Sequence, residues 1–164
     1  YQCSLQQENQ DLPDFRKTLD YSGYTEGWAL YTESLGKELG LYTDPYQYFG
    51  MLSMEMHRAI RLVVDTGLHS KGWTRAQAIQ YSLDNEAETE DSIVSEIERY
   101  MANPGQALSY KIGQLKIREL RAKATKVLGD KFDIKEFHNQ VLTTGSIPLY
   151  LLEGKIDNWI DSNK

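Results

Sequence analysis

The 164-residue chain is 40% hydrophobic and 26% charged, a globular composition with enough length to bury a core, which excludes a disordered tail. Its net charge of -6 argues against a phosphate-tracking surface and so against nucleic-acid binding, which draws on clustered Lys and Arg. The single cysteine, Cys3, can form no internal disulfide, and no run approaches the roughly 20 apolar residues of a membrane span.

The chain opens on Tyr1 without a Met, and residues 1–9 read like the end of a helix closed by Asp11-Leu12-Pro13. The expectation is a fragment cut from a longer protein, so that missing targeting signals say little about its parent. From there the apolar period is helical nearly throughout. Trp28, Tyr31, Leu35 and Leu39 predict a helix over about 24–41, and Asp44-Pro45 supplies a cap and first-turn proline for the next. That helix carries Tyr46, Phe49, Leu52, Met56, Ile60 and Val63, with Gly67 placed to end it.

Thr74 and Gln77 make a capping-box pattern for a third helix. Ile93, Ile97, Tyr100 and Met101 mark a fourth, closed by Asn103-Pro104-Gly105. The longest helix follows over about 106–128, with Leu108, Ile112, Leu115 and Val127 inward and Gly129 as its stop. Its basic residues, between Lys111 and Lys126, read as a solvated face. Ile134, Phe137 and Val141 mark a shorter helix; Pro148 opens a last one with Leu149, Leu152, Ile156 and Trp159 on one face. The prediction is an all-α, multi-helical single domain over residues 1–164, with about seven helices.

Three stretches could carry chemistry. Glu26 and Glu33 lie seven residues apart and share a helix face; they are either solvated, with Lys37 as a partner, or held by a metal or cation if that face is buried. Arg58, Arg61 and Asp65 form one ridge, and His69 is expected just beyond the helix end. An arginine can hold a carboxylate through two parallel hydrogen bonds and a histidine can steady an oxyanion; the alternative is an Arg61–Asp65 ion pair with His69 stabilised by the helix dipole. Gln106 and Tyr110 stand one above the other after the Pro-Gly break, where Tyr110 is either a phenol donor to a substrate carbonyl or a half-buried packing residue. His57 and His138 read as surface or core-edge residues. No His-Glu-x-x-His helix, nucleophile elbow or phosphate loop occurs.

Taken together, Tyr24 to Glu33, Arg58 to His69, Glu96-Ile97-Glu98-Arg99-Tyr100, Pro104 to Gly113, and Phe137-His138 with Gly145 to Leu152 resemble the bacterial family catalogued as domain of unknown function 885. Its members look like mostly helical zincin metallopeptidases, so the resemblance implies the carboxy-terminal part of a zinc peptidase acting on peptide substrates. Tyr1-Gln2 matches the last two positions of the family's His-Glu-x-x-Pro-Gly-His-His-x-Gln element. This implies that the metal-binding histidines and catalytic Glu lie upstream, in the amino-terminal half of the same polypeptide. Glu26 then matches the third zinc ligand, Tyr110 and His69 would stabilise the oxyanion, and Arg61 with Gln106 would orient the substrate. The resemblance implies zinc in the full-length parent, no tight zinc in this segment and no activity in isolation, with self-association through an uncovered apolar surface. Some relatives look like exported lipoproteins, pointing to a periplasmic parent. The competing expectation is a non-catalytic helical interaction module.

Overall fold

The computed structural model describes Tyr1–Lys164, and all of its regular structure is helical. The elements are α1 (Gln2–Glu8), α2 (Asp14–Thr18), α3 (Ser22–Glu38), α4 (Pro45–Ser70), α5 (Arg75–Asn85), α6 (Glu90–Ala102), α7 (Gln106–Leu128), α8 (Ile134–Leu142) and α9 (Leu149–Asn163), with a 3-10 turn at Gly129–Lys131. The last seven are the helices expected from periodicity, and α1 is the helix end read at residues 1–9. The five-residue α2 has too few positions to show a period. No helix is long and apolar enough to cross a membrane.

Two compact units divide the chain: Tyr1–Ala29 with Ile112–Lys164, and Leu30–Lys111. In the first, α3 and α7 approach closely because both are glycine at the contact. A Cβ on Gly27 would lie 2.5 Å from the Gly113 backbone, and one on Gly113 would lie 1.8 Å from the Gly23 carbonyl oxygen. That crossing decides which face of α7 is buried. Ile117, Leu120, Ala124 and Leu128 turn inward, while Ile112, Leu115 and Val127, expected inside, are exposed. Tyr24 is fully buried, and its hydroxyl donates to the Val141 carbonyl at 2.7 Å, tying α3 to α8. Gln6 holds the start of the unit together. Its amide donates to the carbonyls of Arg16 and Leu19 and accepts from the Ser146 N–H.

In the second unit, α4, α5 and α6 bury Ile60, Val64, Ala78, Ile79, Ile93, Ile97 and Tyr100 together. Both α4 and α5 begin with a capping box, Asp44 with Gln47 and Thr74 with Gln77, so their first backbone N–H groups are satisfied locally. Gly67 does not end α4. It is buried inside the last turns with the Trp73 ring 2.5 Å from where a Cβ would be, and the left-handed glycine is Gly72, at φ 69°. His69 consequently lies within α4 rather than beyond it. The amino-terminal half of α4 keeps its apolar face uncovered: Tyr46, Phe49, Leu52 and Met56 are exposed, as are Leu39 and Leu41 before it.

Candidate functional site

Of the polar residues expected to carry chemistry in the second unit, Gln106 and Tyr110 meet at Arg61, whereas Arg58 bonds the Met54 carbonyl within its own helix. The Arg61 side chain rises from the middle of α4 and is only 5% exposed. Its guanidinium carbon sits 4.2 Å from the centre of the Tyr110 ring and 5.2 Å from that of Tyr100, so two π-faces solvate a cation that water does not reach. One guanidinium N–H donates to Gln106 Oε1 at 3.3 Å, and the buried Nε has no hydrogen-bond partner.

Asp65, one turn further along α4, does not pair with Arg61. It is 2% exposed and accepts the Gly105 N–H at 3.2 and 3.1 Å on its two oxygens. Gly105 has φ 81°, a conformation costly for any residue with a Cβ. The Pro104-Gly105 turn is therefore fixed from below by a buried carboxylate at the start of α7, where the helix dipole favours negative charge. The turn places Gln106 and Tyr110, and the Gln106 Nε2 donates to the Tyr110 hydroxyl at 3.3 Å. With its oxygen serving as acceptor there, the phenol keeps its own hydrogen for another partner.

Glu96, Arg99 and Tyr100 enter from the sequence only as part of the resemblance and, for Tyr100, as an apolar marker of the helix, with no chemical role. Their i, i+3, i+4 spacing is the signal that puts them on one face of α6. Arg99 forks onto Glu96 through Nε at 3.0 Å and Nη2 at 2.6 Å, and its Nη1 reaches Gln106 Oε1 at 3.2 Å. The Tyr100 hydroxyl donates to Glu96 at 2.8 Å. Burial pushes the Tyr100 phenol above its usual range.

The Arg99 hydrogen bonds hold the Glu96 carboxyl at a pKa of about 2, down from an ordinary 4.5; the Tyr100 hydroxyl and the charges of Arg99 and Arg61 add to this, against the opposing pull of burial. Because the folded-state pKa is the lower one, Glu96 contributes its full stability above pH 4.5 and loses it as pH falls toward 2. Glu96→Gln should therefore flatten the pH dependence of the urea midpoint across that window; profiles that run parallel for the two proteins would refute the coupling.

His69 is exposed on the last turn of α4, with Nε2 3.0 Å from the Tyr100 carbonyl oxygen. A ring that donates from Nε2 in its neutral form has no proton on Nδ1, so His69 can donate to a second acceptor only as imidazolium. Of the other histidines, His57 is half-buried and bonds Glu86 at 2.6 Å, and His138 packs edge-on against Trp28.

Glu26 lies in the first unit, on the α3 turn between Gly23 and Gly27. It is half-buried and takes no hydrogen bond or ion pair from the rest of the chain, whereas Glu33 is exposed. No group of three or more His, Cys, Asp or Glu side chains is placed to hold a metal ion. The residues present do not by themselves make a zinc centre, and Glu26 is a single carboxylate donor.

The family model described as "Bacterial protein of unknown function (DUF885)" matches residues 1–156. The chain is also similar to the crystal structure of the "putative lipoprotein from Colwellia psychrerythraea", at 50% identity and a TM-score of 0.96. That alignment covers 99% of this chain and 28% of the Colwellia chain, so this chain spans less than a third of the relative's length. No curated protein matches.

Proposed function

The chain belongs to the bacterial DUF885 family of unknown function, and we propose that it forms one part of a zinc-dependent peptidase, inactive alone, in a longer polypeptide. Glu26 would be one metal ligand, the remaining ligands coming from the preceding half of that polypeptide. A bound zinc would supply a water acidic enough to attack a peptide carbonyl at neutral pH. The observation that carries the reading is the Arg61 cluster: a buried cation with no carboxylate partner stands beside a phenol whose hydrogen is free. Arg61 with Gln106 would orient a substrate carboxylate, and Tyr110 would donate to the carbonyl oxygen as it gains charge. His69 would assist that oxyanion.

A non-catalytic interaction module is the second reading, favoured by the uncovered apolar face of α4, a surface fit for the preceding half of the polypeptide or for a second copy.

Metal analysis of the longer protein separates the two. The peptidase reading expects stoichiometric zinc there, and a Tyr110→Phe variant that keeps its zinc but turns over roughly 10²–10³-fold more slowly, the typical cost of one oxyanion donor. A purified longer protein with neither zinc nor peptidase activity would leave the interaction module standing.

A further inference from the structure

We infer that Arg61 and Arg99 form a two-guanidinium clamp for a peptide carboxylate, closed in this structure by the side chain of Gln106. The peptide nature of the ligand rests on the peptidase reading; the carboxylate chemistry rests on the cluster itself.

A buried charge is normally paired, because an uncompensated one is costly to remove from water. Arg61 makes no direct ion pair, although Glu96 is close enough to feel its charge. The two carboxylates nearest in the cluster are committed elsewhere, Asp65 to the Gly105 N–H and Glu96 to Arg99 and the Tyr100 hydroxyl. What Arg61 meets instead is a neutral amide oxygen, Gln106 Oε1, at the long distance of 3.3 Å. Arg99 points a second N–H at that same oxygen from 3.2 Å. Two guanidinium groups thus converge on a single weak acceptor where each could take one oxygen of a carboxylate through a charge-assisted bond.

The partners of this oxygen also suit an exchangeable occupant. Gln106 is half-buried in the first turn of α7 and its other bond is to the Tyr110 hydroxyl, so swinging it out frees one N–H group of Arg61, the Nη1 of Arg99 and the phenol oxygen, while Arg99 stays forked on Glu96. The Arg99 side chain is 41% exposed, which opens the clamp to solvent on that side. The stacked Tyr110 and Tyr100 rings hold the Arg61 plane in place before a ligand arrives, so little side-chain freedom is lost on binding.

Titration of the 164-residue chain with three probes tests the clamp: acetyl-Ala-Ala with a free terminal carboxylate, its terminal amide, and an acetyl-Ala-Asp terminal amide whose only carboxylate is on the side chain. The expected result is roughly ten- to a hundredfold tighter binding of a carboxylate probe than of the uncharged amide, the range of one or two charge-assisted hydrogen bonds. Which of the two acids binds better assigns the source of the carboxylate. Arg99→Gln, at an exposed position, should lose about tenfold in affinity for the acids and nothing for the amide. Gln106→Glu should place a carboxylate in the clamp from within, abolishing probe binding while raising the melting temperature.

Equal binding of acids and amide, no binding by any probe, or undiminished binding to Gln106→Glu would overturn the clamp. Carboxylate binding by a chain whose longer form holds no zinc would refute the peptidase reading and leave the clamp intact. A zinc peptidase whose preference for free over amidated peptides survives Arg99→Gln would do the reverse.

Discussion

Gly113→Ala is expected to destabilise the chain by about 3 kcal/mol or more, at the upper end of what overpacking costs. An added methyl at this position would start 1.8 Å from the Gly23 carbonyl oxygen and 2.6 Å from Gly27 Cα. Both obstacles are backbone, so no rotamer change relieves them, and α3 must move away from α7. Separation would pull Tyr24 and Trp28 out of their buried sites and stretch the Tyr24–Val141 hydrogen bond. In melting temperature the loss corresponds to roughly 10 °C for a chain of this size. Gly154→Ala makes the same chemical change in the same unit, in the middle of α9, with nothing within 4 Å of the new methyl. It should stabilise by about 0.5–1 kcal/mol, the helix-propensity difference between Gly and Ala. Opposite signs for one substitution type would isolate the crossing as the cause. A Gly113→Ala protein that melts with the parent would show that α3 and α7 do not approach this closely.

That crossing also explains where the sequence misleads. Helix existence was legible because it depends on local signals: the Thr74 and Asp44 capping boxes, the Pro104-Gly105 break, and apolar steps of three and four. Helix faces were less legible because periodicity weighs large residues. On α7 it favours Ile112 and Leu115, yet Gly113 and Gln114 face the interior, because close approach selects for lack of a side chain. The Gly23-x-x-x-Gly27 spacing was the available signal. Gly67 misled in the same way, since a glycine needed for the Trp73 ring looks identical in sequence to one needed for a left-handed turn.

The site divides along similar lines. Arg61, Gln106 and Tyr110 were found from spacing and the resemblance, and they do meet. Arg99 and Glu96 remained hidden because an i, i+3 Arg–Glu pair on an acidic helix resembles an ordinary surface pair; only the tertiary fold turns it toward Gln106. The Arg61–Asp65 pairing that sequence spacing suggested is replaced by a contact forty residues away in the chain, from Asp65 to Gly105.

If the longer polypeptide is the zinc peptidase proposed above, Glu26→Gln in it is expected to abolish peptidase activity and strip most of the zinc. An amide oxygen is neutral and a much poorer ligand for Zn²⁺ than a carboxylate, and a site left one donor short loses affinity steeply. The same substitution in the 164-residue chain should change stability by less than about 0.5 kcal/mol, because it triggers no mechanism of large destabilisation: no cavity, no broken ion pair and no lost cap. Glu26 has no hydrogen bond or ion pair here to lose, and glutamine matches it in shape. The α3–α7 crossing holds the glycines on either side of Glu26 in register, so the backbone that presents the carboxylate is rigid before any metal binds. Three measurements on each variant separate the cases: zinc content, turnover and melting temperature. Full zinc and full turnover in Glu26→Gln would remove this residue from the ligand set. A lowered melting temperature in the 164-residue chain would make it a structural carboxylate. Zinc lost equally from Glu26→Gln and Tyr110→Phe would point to a folding defect common to both, because a phenol that only donates to an oxyanion has no reason to affect metal content.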